Sequence, residues 1–174
     1  MAIKGIDFAS LTLMDALDLA ILIEEEAKER YEDLAAQMEQ HRTPEAARFF
    51  RYMAANEAKH GLELATRRAE RFGAAPRKVT TAMIFDVEAP DYDTARAFMT
   101  PRQAMKVALA SEVKAHGFFE AALPALRDAE VRALFDELKQ EEVEHQALVR
   151  AELGKLPPDS GLSDDDFVDE PAAQ

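Results

Sequence analysis

Apolar residues recur every three to four positions over four long stretches of the chain, the period of an α-helix with one buried face. The first stretch runs from Leu13 to Gln40, where Leu17, Ala20, Ile21, Ala27, Tyr31 and Leu34 outline one stripe. Ser10 or Thr12 opens it, and Thr12 followed three residues later by Asp15 makes a partial capping box. The second runs from Pro44 to about Phe72, with Thr43 as its cap, Pro44 in the tolerated first turn and Gly73 as its stop. The third opens on Thr100-Pro101-Arg102-Gln103, a cap, a first-turn proline and a glutamine able to reach back. It continues to about Leu123, where Pro124 bends or ends it. The fourth extends from roughly Asp128 to Leu153 and closes at Gly154, ahead of Pro157-Pro158.

The connections set the topology. A few residues around His41 to Thr43 join the first two helices, and a similarly short link joins the last two, so each pair is an antiparallel hairpin. Between the pairs lie about twenty-seven residues, Ala74 to Thr100, enough to cross the length of a bundle, with a short helical turn expected near Val79 to Phe85. Hairpin, crossover and hairpin make an all-α, ferritin-like four-helix bundle. Residues 1–156 read as this one domain and residues 157–174 as an acidic, disordered tail in which Leu162, Phe167 and Val168 are available to a partner.

The two hairpins also repeat a phrase. Glu24 is followed by Glu57-Ala58-Lys59-His60, and Glu112 by Glu142-Val143-Glu144-His145, at offsets of 88 for the lone glutamates and 85 for the Glu-x-x-His pairs. Residues three apart on a helix share a face, so each Glu-x-x-His offers one carboxylate and one imidazole to the same interior point. Glu24 lies within the apolar stripe of the first helix, and Val107, Ala108, Ser111, Ala115 and Phe119 place Glu112 within a similar stripe on the third. Four inward carboxylates would repel one another severely, and two bound cations are the natural compensation. Metal ligands are therefore expected at Glu24, Glu57, His60, Glu112, Glu142 and His145, with Glu57 and Glu142 bridging the ions.

Oxygen and imidazole donors without thiolate suit iron or manganese, and zinc is able to substitute. Two Fe ions are preferred, because a carboxylate-bridged pair shares a two-electron reduction of dioxygen or peroxide. Tyr31, two turns beyond Glu24, is a candidate to donate a hydrogen bond toward the centre. Its repeat counterpart, Phe119, has no such donor, so the two metal positions are expected to be unequal. Glu25, Glu26, Glu141 and Glu144 read as surface charge, His41 as a solvated turn residue, and His116 as polar edge with a lesser prospect of being an accessory ligand. A non-catalytic module that binds or senses iron is the alternative function.

Composition narrows the classes further. Thirty-four acidic against twenty-one basic residues leave a charge of −13, which argues against nucleic acid as a partner. With no cysteine, the chain contains no disulfide and no four-cysteine metal knuckle. It also lacks an amino-terminal apolar run and any apolar stretch near twenty residues, so it reads as soluble, cytoplasmic and without a membrane segment. Apolar faces carrying Phe49, Phe50, Met53, Phe118 and Phe135 are able to serve a homodimer or larger homo-oligomer as well as the core.

Over about residues 10 to 153 the chain resembles the rubrerythrin branch of the ferritin-like superfamily. The resemblance rests on Glu24 to Tyr31, with its Arg30-Tyr31 close, and on Asn56-Glu57-Ala58-Lys59-His60 and Glu142-Val143-Glu144-His145. It implies a diiron centre, oxygen or peroxide reactivity as a ferroxidase or peroxide reductase, and self-assembly. Two features depart from that family. Ala115 stands where the family has a further metal-binding glutamate, and the four-cysteine rubredoxin domain is missing, so a peroxidase would draw on an external electron donor.

Overall fold

The structure, a computed structural model, describes residues 6–84 and 99–158. Thr12 caps α1 (Leu13–Gln40), accepting from the Asp15 N–H at 3.2 Å and donating to the Asp15 carboxylate at 2.6 Å. Three residues turn the chain into α2 (Pro44–Phe72). Arg42 occupies the left-handed region there, with φ +58°. Thr43 stands at the cap position without capping: its hydroxyl donates instead to the Met38 carbonyl of α1 at 2.8 Å, tying the turn to the helix behind it. Gly73, at φ +56°, ends α2 as expected of a residue without a Cβ.

The second hairpin is α4 (Pro101–Ala122) and α5 (Ala129–Lys155), joined through a 3₁₀ turn at Leu123–Ala125 in which Pro124 ends the helix instead of bending it. Thr100 and Gln103 form both halves of the capping box. Asp128 caps α5 from outside, accepting from Glu130 and Val131. The helix passes through Gly154 and ends at Lys155, two residues beyond the expected Leu153. Leu156 is extended (φ −82°, ψ 143°), as a residue before proline must be, so Pro157 and not the glycine sets the end. In the crossover, α3 (Thr81–Ile84) is the short turn expected between residues 79 and 85, although Phe85 lies outside the described residues. The expected tail also lies outside them from residue 159 onward, with Leu162, Phe167 and Val168.

α1 packs along α2 and α4 along α5, so two antiparallel hairpins joined by a long crossover make the ferritin-like four-helix bundle. Two apolar clusters form its core. One gathers Leu17, Ile21 and Ile23 of α1 with Phe119 of α4 and Leu134, Phe135 and Leu138 of α5. The other gathers Tyr31 and Met38 with Phe50 and Met53 of α2, Met105 of α4 and Val149 of α5. Phe50, Met53 and Phe135 are thus consumed within the single chain, and among the described residues the large apolar side chains left exposed are Tyr52, Leu62, Val113 and Val143. Among the described residues no helix is long and apolar enough to cross a membrane.

One buried charge pair fastens the first hairpin. Asp18, in the apolar stripe of α1 and 0% exposed, accepts from Arg68 Nε at 2.9 Å and Nη2 at 3.3 Å. The same guanidinium donates to the carbonyls of Gly73 and Ala75, satisfying the chain as it leaves α2. Arg77 stands 3.5 Å from the same carboxylate. Removing one partner strands a buried charge, so Arg68→Met is expected to lower stability by about 3 kcal/mol in urea unfolding, and the Asp18→Leu/Arg68→Met double variant by less than the single one. A double variant worse than Arg68→Met would show that the pair contributes more than mutual neutralisation.

Candidate metal centre

Between the two apolar clusters every long helix turns a polar residue inward. α1 contributes Glu24, α2 Glu57 and His60, α4 Glu112, and α5 Glu142 and His145. The four carboxylates are buried, exposed by 5, 2, 3 and 5% for Glu24, Glu57, Glu112 and Glu142, and His145 is buried with them. His60 is half-buried at the α2 edge of the same layer. All six residues expected from the sequence therefore meet in one place.

Their donor atoms fall into three groups, each with its members within 4.8 Å of one another: Glu24, His60 and Glu141; Glu112, Glu142 and His145; and Glu57 with both imidazoles. The imidazole rings of His60 and His145 lie nearly parallel, with their centroids 5.3 Å apart. His145 Nδ1 is 3.3 Å from Glu57 Oε1 and 3.4 Å from Glu112 Oε2. Tyr31 donates its hydroxyl to Glu112 Oε1, so a residue of the first hairpin holds a carboxylate of the second.

The electrostatics follow from this crowding. Burial acts to raise the Glu112 carboxyl, but hydrogen bonds from His145, Glu142 and Tyr31 outweigh it and hold the group below the ordinary carboxylate value. Burial, then the charge and hydrogen bond of Glu112, push the Tyr31 phenol well above its usual range, so it keeps its proton and stays a donor. Burial and the neighbouring His145 push His60 below the usual imidazole value, leaving it neutral and able to bind a cation. His60 Nδ1 is buried and has no hydrogen-bond partner among the described residues. An orphaned imidazole nitrogen beside convergent carboxylates is what a metal ion would satisfy, and oxygen and nitrogen donors without thiolate suit iron or manganese.

Two residues were missed by sequence reasoning. Glu141, read as surface charge, is half-buried and joins Glu24 and His60. Its spacing of four from His145 on one helix was the available signal. Gln146 is buried and donates to the Glu112 carbonyl at 3.3 Å while accepting from Arg150 at 3.0 Å, linking α5 to α4 behind the carboxylates. Glu25 and Glu144 are exposed and Glu26 is half-buried. His116 is in none of the three donor groups, and Ala115 is fully buried.

The family model for Rubrerythrin matches residues 15–153. The crystal structure at 2.00 Å of an uncharacterized conserved protein from Magnetospirillum magnetotacticum MS-1 is similar, with a TM-score of 0.71 and 30% sequence identity over 84% of this chain and 97% of that one. No curated protein matches the chain.

The Tyr31 contact makes a checkable statement about the metal-free protein. Near pH 10 an ordinary tyrosine ionises, but Tyr31 in the folded chain does not. Tyr31→Phe is therefore expected to leave the tyrosinate absorbance gained by the folded protein near that pH unchanged. A loss of about a third of that amplitude, one tyrosine of the three, would show that Tyr31 titrates normally. Above the unfolded tyrosine pKa the unfolded state gives up a proton that the native state retains, so this group's contribution to stability falls as pH rises. Losing a donor to a buried carboxylate should also lower stability by about 1–3 kcal/mol.

Proposed function

The chain belongs to the rubrerythrin family, and from that premise we propose that it is a diiron oxidoreductase, oxidising ferrous iron or reducing peroxide at the polar layer of its bundle. Glu24, Glu57, His60, Glu112, Glu142 and His145 are its proposed ligands. The observation that supports this best is the convergence of four buried carboxylates and two imidazoles in three overlapping donor groups. A pair of bound irons would supply two ferrous/ferric couples, so that two electrons pass together to dioxygen or peroxide.

The chain's own residues shape that chemistry. Four carboxylates favour the ferric over the ferrous charge, and the two imidazoles, which bring no negative charge of their own, limit how anionic the centre becomes. Glu57, grouped with both imidazoles, reaches both ends of the layer. Tyr31 fixes one oxygen of Glu112, leaving the other oxygen turned toward His145. Apolar clusters flank the layer on either side, and His60 stands at its half-buried edge. Ferrous iron can itself supply the electrons. Reduction of peroxide by a chain with no cysteine draws on an external donor.

Metal-free protein loaded anaerobically with ferrous iron is expected to bind two ions per chain and, on mixing with oxygen or with peroxide in a stopped-flow instrument, to develop the absorption of a ferric pair. The faster oxidant distinguishes ferroxidase from peroxide reductase. Glu57→Ala should bind at most one ion and lose the fast phase. Two tightly bound ions inert to both oxidants would instead make the protein an iron-binding or iron-sensing module.

A further inference from the structure

The repeat that makes the two hairpins alike breaks at two places in the polar layer. By the offset of 85 residues that relates the Glu-x-x-His pairs, the counterpart of Glu141 is Asn56, a neutral amide. By the offset of 88, the counterpart of Tyr31 is Phe119. Both breaks distinguish the end of the layer containing Glu24 and His60 from the end containing Glu112 and His145.

α2 and α5 are laced along their shared edge by ion pairs. Arg71 donates to Glu130 at 2.6 Å and Arg67 to Glu137 at 2.9 Å. Glu141 follows Glu137 by one helical turn and continues the acidic edge of α5. On α2, however, the residue that meets it is His60, not a third arginine. The nearby charged groups acting on Glu141 are the carboxylates of Glu137, Glu63 and Glu144 together with the His145 imidazole. The third rung of the ladder thus pairs a half-buried carboxylate with an imidazole whose Nδ1 is buried and has no hydrogen-bond partner among the described residues. A cation between them would complete it.

The spacing suits such an ion. Donors held about 2.1 Å from one metal lie at most about 4.2 Å apart, and the ligand atoms of Glu24, His60 and Glu141 lie within 4.8 Å of one another, so that a small side-chain adjustment gathers them around one ion. We propose that Glu141 is a metal ligand, so that the His60 end of the centre holds two terminal carboxylates, Glu24 and Glu141, against one, Glu112, at the His145 end. Tyr31 already occupies one oxygen of Glu112. Both breaks in the repeat act in the same direction: the His60 end holds its ion more tightly and fills first. This inference rests on the two-metal reading above.

Anaerobic calorimetric titration of the metal-free, full-length chain with ferrous iron tests it, with bound iron counted independently. The wild type should show two steps, one tighter than the other. Glu141→Gln should weaken the tighter step about tenfold or more and leave the other in place, and Glu141→Asp, which keeps a shorter carboxylate, should fall between. Glu144→Gln removes an exposed carboxylate of the same stretch and should match the wild type. Metal-free circular dichroism and thermal midpoints confirm that each variant folds. If the wild type binds fewer than two irons, the two-metal reading fails. If it binds two and Glu141→Gln gives an identical titration, or if Glu144→Gln weakens binding equally, that reading stands and the role assigned to Glu141 is overturned.

Discussion

Like charges buried together set the terms for this molecule. Carboxylates at Glu24, Glu57, Glu112 and Glu142, none more than 5% exposed, cannot all be ionised in a low-dielectric interior without compensating positive charge. Protein atoms stabilise part of the negative charge by polar contact alone: the Tyr31 hydroxyl and the His145 imidazole face Glu112, and Gln146 braces the backbone behind it. The remainder defines the centre as a place for cations. Long helices are the appropriate scaffold, because each satisfies its own backbone and can present a single charged side chain from an otherwise apolar stripe.

The same chain solves a second charge problem by a different route. Asp18 is as deeply buried as any of the candidate ligands, but Arg68 meets it with a forked pair of hydrogen bonds and carries the remaining donors to Gly73 and Ala75. That carboxylate is neutralised from within and offers nothing to a metal. Helix position separates the two cases: Asp18 lies near the end of the first hairpin where α2 runs out, while Glu24, less than two turns along, lies where all four helices face inward. Burial alone does not identify a site; the nature of the compensating charge does.

Much of this was legible in the residues. The capping box at Thr100 and Gln103, the stop at Gly73 and the 3.6-residue periodicity define helices whose ends depend on local chemistry, and the two Glu-x-x-His pairs place four side chains at one depth because three-residue spacing is a property of the helix itself, with Glu24 and Glu112 added by their places in apolar stripes. What escaped depends on contacts between helices. Thr43 has the right identity and position for a cap, yet its hydroxyl finds the Met38 carbonyl first. Gly154 looks like a stop, but the conformational restriction imposed by Pro157 on Leu156 decides the end. Glu141 could be placed only once α2 and α5 were set side by side, since its distinguishing feature is which residue faces it. Asp18 escaped for the same reason, since the arginine that meets it, Arg68, lies fifty residues away on another helix.

The polar layer sits partway along all four long helices, with an apolar cluster to each side. Every helix therefore belongs to both halves of the core and acts as a rod pinned near its middle. At 1.5 Å per residue, the tips of a 28-residue helix such as α1 lie roughly 20 Å from its centre. A small change in how closely the pins draw together is magnified toward those tips, where the turn at Arg42 and the cap at Thr100 are found. Any change of spacing in the interior layer would thus reach the two ends of the bundle as leverage.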